Sequence, residues 1–143
     1  MLNLVKLCVG AASIEDLAHW QATYPGFRTG KARKLRVFHT TFQAPKRQAE
    51  LSDGGSLYWV IKGFVQARQL LTGFEAGHKE DGSPCCLLML DAKIIPVRPQ
   101  PRKAFQGWRY LMAEDAPPDL AAGATLAALP PELRKELAVL GLI

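Results

Sequence analysis

Ser56-Leu-Tyr-Trp-Val-Ile-Lys-Gly63 is the stretch on which the fold turns. It is dense in β-branched and aromatic residues, the composition that fits a pleated surface, and it reads as a strand ending at Gly63. Leu57, Trp59 and Ile61 share one face; Tyr58, Val60 and Lys62 share the other. One face can fill a core while the other presents an aromatic ring and a cation. Beyond Gly63 the pattern is double. Phe64, Ala67, Leu71 and Phe74 fit a helical face, but Val65, Ala67 and Leu71 alternate equally well around Gln66 and Arg68. A strand bent at Gly63 is favoured, because glycine inside a strand pattern often marks a bulge.

Outward from this point the chain continues in short strands. Gly77–Pro84 is a polar hairpin loop with Asp81-Gly82, and Cys85–Leu90 is a continuous apolar run, read as a buried strand. Lys93–Arg98 alternates, with Pro96 indicating a sheet edge. Pro99-Gln-Pro101 reads as an extended linker, and Phe105–Leu111 as a last aromatic-rich strand. Towards the N-terminus, Asn3–Val9 and Lys34–Phe42 alternate as strands. Ser13 caps a helix running to about residue 24, with Glu15 and Asp16 in its first turn and Ile14, Leu17, Ala18 and Trp20 as its buried stripe. A short helix is expected over Lys46–Leu51, and a terminal one over Pro131–Leu140 with Leu133, Leu137 and Leu140 on one face. Residues 56–111 leave no room for helices between strands, which excludes a doubly wound parallel sheet. The predicted fold is α+β: a small, mostly antiparallel β-barrel with flanking helices, formed by 1–143 as a single globular domain.

The chain has 143 residues, 48% hydrophobic and 22% charged, an ordinary globular composition. Disorder is not expected, and no apolar run approaches the roughly 18 residues that a membrane span needs. The first ten residues lack a basic leader, and three cysteines, two of them adjacent, make no disulfide framework; both features predict a cytoplasmic protein. The net charge is +5, and it is unevenly spread. Arg28–Glu50 holds seven bases and one acid, and Ala92–Ala113 holds five bases and no acid, whereas the last thirty residues hold five acids and two bases. Such asymmetry points to a polyanion.

No phosphate-binding glycine loop, zinc-protease helix or nucleophile elbow is present, and Cys85 and Cys86 point to opposite faces of a strand, so neither cofactor nor metal is expected. The positive pattern is Pro101-Arg-Lys-Ala-Phe-Gln-Gly-Trp-Arg-Tyr-Leu111, where Phe105, Trp108 and Tyr110 interleave with Arg102, Lys103, Gln106 and Arg109. Unpaired bases stack on aromatic planes while cations hold phosphate. The opposing reading puts Trp59 and Trp108 in the core with the cations snorkelling around them.

Asp53–Gly63, Phe105–Leu111, Glu114-Asp-Ala-Pro117 and the closing Leu-Pro-Pro-Glu-Leu-Arg run together resemble an uncharacterised family of short alphaproteobacterial proteins. That family usually has Arg-Pro before the Phe-Gln-Gly-Trp motif, where this chain has Lys103-Ala104. The resemblance implies a single-domain bacterial protein and brings no activity. The strand order also looks like that of PUA-like barrels, which include modules that bind RNA or modified bases. The expected function is therefore an RNA- or modified-nucleotide-binding module. Lys31, Arg33, Lys34, Arg36, Lys62, Arg102, Lys103 and Arg109 supply cations, Trp108 or Tyr58 stacks on a base, and Gln106 reads its edge. Two alternatives stay open. One is a nucleoside-directed amidohydrolase with Lys62 as base and Glu75, Asp81 or Glu114 as its carboxylate. The other is a protein-interaction module built on the acidic, Leu-rich tail.

Overall fold

The computed structural model describes residues 1–23, 28–29, 34–35, 37–79 and 81–120. In chain order the elements are β1 (Leu2–Leu7), α1 (Ile14–Thr23), β2 (Arg28–Thr29), β3 (Lys34–Leu35), β4 (Val37–Thr41), α2 (Gln48–Ser52), β5 (Ser56–Ile61), β6 (Phe64–His78), β7 (Pro84–Leu90), β8 (Ile95–Pro101) and β9 (Trp108–Met112). The terminal helix expected over Pro131–Leu140 lies outside the described residues.

Seven strands form one mixed sheet in the order β4-β7-β6-β5-β1-β9, with β8 also on β6, and β2 pairs β3 separately. Only β1 and β5 run parallel among these ladders. The α+β class is as expected. The closed barrel is not: β4 and β9 end the sheet without a ladder between them. What joins the two edges is side chain to backbone. The Trp108 indole N–H donates to the Gln43 carbonyl at 2.7 Å, and the Tyr110 hydroxyl accepts from the backbone N–H of Lys46 and Arg47 at 3.1 and 3.2 Å.

β5 and β6 form the hairpin at the centre. Lys62 and Gly63 are its two-residue turn, with φ of 49° and 81°. Two positive φ values give the turn whose twist matches the strands it joins. Gly63 is therefore the second residue of a tight turn rather than a bend within one strand, and the stretch from Phe64 is a strand of 15 residues. Register shifts at Trp59/Val60, Val65/Ala67 and Leu71/Gly73 curl the sheet. β5 and β8 flank the first half of β6, and β7 pairs its second half. Pro99-Gln-Pro101, expected as a linker, is part of β8, while Pro96 does sit exposed on this strand.

Every residue of β5 is buried, on both faces. Leu57, Trp59 and Ile61 join Leu2, Leu4, Leu51, Leu71, Leu88 and Leu90 on the concave side of the sheet. Tyr58 and Val60 join Val5, Val65, Val97 and Leu111 on the convex side. That side is covered because residues 113–120 fold back along β8: Arg98 N–H donates to the Pro118 carbonyl and Leu120 N–H to the Pro96 carbonyl, and Arg68 holds Asp119 through two hydrogen bonds of 2.7 and 2.8 Å.

α1 packs on the concave side. Ser13 caps it as expected, its Oγ accepting from Asp16 N–H at 3.1 Å, while Asp16 accepts from Ala12 N–H at 3.0 Å. Its buried face is narrower than expected and partly polar: Leu17 and Gln21 are buried, but Ala18 and Trp20 are exposed. Gln21 exchanges two 2.8 Å hydrogen bonds with Gln69 of β6, and Gln69 also accepts from the Trp59 indole and donates to the Asp91 carbonyl. Among the described residues no helix is long and apolar enough to cross a membrane.

Candidate nucleic-acid interface

The seam between the two sheet edges opens into a groove of about 600 Å3. Three segments build it. β1 contributes Lys6, which pairs in register with Trp108. Strand β4 and the residues after it contribute Thr40, Thr41, Phe42 and Gln43. The approach to β9 contributes Gln106, Gly107, Trp108 and Arg109, and Lys79 enters from the β6–β7 hairpin loop.

Among the described residues three cations line this groove and no acid does. Lys6 follows Leu2 and Leu4 on the concave face, and burial pulls its ammonium below the ordinary value. Arg109 donates to the carbonyls of Gln106 and Trp108 at 2.9 and 3.1 Å. The Lys79 ammonium lies 2.8 Å from the centre of the Phe42 ring, which is 77% exposed. The ion pairs formed among the described residues, Arg47–Glu50 and Arg68–Asp119, use none of these cations. A half-buried ammonium beside two further cations, with no described carboxylate lining the space, favours an anion there.

Of the residues singled out in the sequence, Gln106, Trp108 and Arg109 meet in this groove. Trp108 is a wall rather than a free platform: its N–H is engaged by Gln43, and its ring meets Tyr110 edge-on at 4.9 Å. Arg102 lies outside the groove, its guanidinium 5.4 Å from the centre of the Phe105 ring, which Arg109 also meets at 5.4 Å. Its backbone N–H donates to the Gly63 carbonyl, which places Arg102 beside the Lys62–Gly63 turn; Lys103, next in the chain, is exposed. Tyr58 does not reach this surface: it is 7% exposed and packs on the convex side of the sheet. Lys31, Arg33 and Arg36 lie outside the described residues, and of Lys34 only the backbone, in β3, is described.

The sequence reading missed Lys6, Phe42 and Lys79. A signal existed for Lys6, a cation on an otherwise apolar strand face, and for Phe42, an aromatic as the last residue of the predicted strand. Nothing local marked Lys79, whose loop is brought to the groove by the length and curl of β6.

A second cavity, of about 290 Å3, lies between α1 and the concave face. His39 reaches it from β4, its ring edge-on to Trp59 at 5.1 Å and 87°. Burial, and secondarily the charge of Lys6, lower the imidazole to about 4, so it is neutral at physiological pH. Cys8 also lines this space, and burial pushes its thiol up to about 11, far from a nucleophile's range. Cys85 and Cys86 are free thiols in the packed sheet. Among the described residues no three His, Cys, Asp or Glu side chains cluster as metal ligands.

A family model described as protein of unknown function (DUF1489) matches residues 4–143, and the chain belongs to that family. No curated protein and no solved structure gave a match.

Proposed function

We propose that this DUF1489 chain is a nucleic-acid-binding module that holds a single strand, RNA by preference, along the β4–β9 seam. The observation that carries the reading is the groove lined by Lys6, Lys79 and Arg109 with no acid among the described residues that line it, beside the exposed ring of Phe42. The cations take phosphates and the ring takes a base. Arg102, Lys103 and Lys62 form a second basic cluster at the β5–β6 turn, outside the groove, and the cations of 31–36 precede β4, whose end lines the groove.

The amidohydrolase alternative needs a lysine and a carboxylate in one cavity. Lys62 occupies an exposed turn, and neither it nor Glu75, Asp81 or Glu114 lines the groove, the cavity beneath α1 or two further, more open clefts among the described residues. Asp81 is instead engaged by Ser83.

Titration of a fluorescent single-stranded RNA against salt tests the reading. The logarithm of affinity falls with the logarithm of salt at about 0.7 per neutralised phosphate. The Lys79→Ala, Arg109→Ala double variant is expected to flatten that slope by about 1.4, at roughly 0.7 for each phosphate no longer neutralised. Phe42→Ala is expected to weaken binding about five- to a hundred-fold with the slope unchanged, as befits the removal of a stacking ring. Absence of salt-dependent binding by the wild type, or an unaltered slope in the double variant, overturns it.

A further inference from the structure

The cavity beneath α1 takes no part in holding phosphate, yet it adjoins the groove. Strand β4, and β1 with the residue just past its end, step from one to the other on the same face. Lys6 lines the groove and Cys8 the cavity; Thr41 lines the groove and His39 the cavity. Alternate residues of a strand are about 7 Å apart, so the two spaces are separated by little more than a sugar. That Lys6 is felt electrostatically at His39 shows the same closeness.

The walls of the cavity are suited to a flat ring. Trp59 is held in place, its N–H bonded to Gln69 at 2.9 Å. Trp20 stands at the mouth on α1, 46% exposed, and the helix that carries it is pinned by the Gln21–Gln69 pair. His39 lines the same space, and being neutral it offers one donor and one acceptor to whatever enters. At about 290 Å3 the space sits at the lower bound of ligand pockets, roughly 300 Å3. It suits one ring system rather than an extended molecule.

We propose that this cavity receives the base of an unpaired nucleotide in the strand whose phosphates lie in the groove. Trp20 and Trp59 enclose the ring and His39 bonds its edge. This rests on the single-strand reading above and assigns it a base-recognition site. A base drawn out of its stack loses little when the strand is already single, so the step favours unpaired over duplex substrate.

Anisotropy titrations with two strands of about ten nucleotides test it, one an adenine homopolymer and the other an abasic ribose-phosphate chain of the same length. The wild type is expected to bind the base-bearing strand at least about tenfold more tightly. Trp20→Ala, at an exposed helix position, is expected to cost the base-bearing strand about five- to a hundred-fold and to leave abasic binding alone. His39→Phe keeps the ring and removes its polar atoms, and is expected to cost the base-bearing strand about two- to tenfold, one hydrogen bond's worth. If Trp20→Ala weakens both strands by the same factor, or leaves both unchanged, the cavity is not the base site while the groove reading stands; if the wild type binds both strands equally, neither the cavity nor Phe42 holds a base, and both assignments fall. If neither strand binds, the groove reading fails and the cavity assignment falls with it.

Discussion

Gln69 makes four hydrogen bonds from a fully buried position, two with Gln21, one from Trp59 and one to the Asp91 carbonyl. Each partner would be left in an apolar space if the amide were removed, at about 1–3 kcal/mol per orphaned group. Gln69→Leu is therefore expected to lower unfolding stability in urea by at least about 3 kcal/mol, although leucine is the more hydrophobic residue. The same change should loosen α1, read as increased exposure of Trp59 to an aqueous quencher. His39 sets a dependence on pH. Its folded value of about 4 lies below the ordinary 6.5, so between these values the unfolded chain binds the proton and the folded one does not. Stability from this residue is complete above about 6.5 and declines as pH falls towards 4, by up to about 3 kcal/mol at 1.36 per unit. His39→Gln is expected to flatten the stability curve over that window; a wild-type curve already flat between pH 6.5 and 4 would show that the ring is not desolvated.

At the scale of the element, Gly55 shows how tightly the start of the central strand is seated. A methyl group there would run into the carbonyl oxygens of Leu2 and Leu51. Gly55→Ala must push β1 or α2 away and is expected to cost about 1–3 kcal/mol or more, measured by thermal or urea unfolding. The hairpin at Lys62–Gly63 has the opposite slack: a lysine sits at φ 49° where asparagine is at home. Lys62→Asn is expected to stabilise by a few tenths of a kcal/mol to about 1 kcal/mol, since a left-handed residue other than Gly, Asn or Asp costs roughly 1–2. The local rules that made β5, the Cys85–Leu90 strand, the capped α1 and the edge position of Pro96 readable are short-range ones. They could not say that the outer face of β5 would be covered. Alternation promised a solvent-facing Tyr58, but the cover comes from residues 113–120, held by the Arg68–Asp119 pair more than fifty positions along the chain from β5. The turn at Gly63 was mistaken for a bend for a related reason. Lysine is an uncommon choice for a tight primed turn, and only the pairing of Ile61 with Phe64 reveals it.

For the molecule as a whole, the groove exists because the sheet curls without closing. Gln106, Trp108 and Arg109 could be read as a site because they are neighbours in one aromatic, basic run. Lys6, Phe42 and Lys79 could not, because their meeting depends on the path of β6 across the fold. Among the described residues the hydrogen bonds of the join are three, made by two side chains of β9, with the Arg47 guanidinium 5.6 Å from the centre of the Tyr110 ring beside them. A closed barrel fixes its diameter by strand number and stagger, and a ladder resists being parted one bond at a time. Here the gap between the outer strands is set by how an indole and a phenol reach across it. The rims can therefore spread or draw in while every backbone ladder stays intact. The amides of Lys46 and Arg47, whose acceptor is the Tyr110 hydroxyl, are gauges of that movement: in Tyr110→Phe their deuterium uptake should rise to that of open chain while the β5–β6 hairpin keeps its protection.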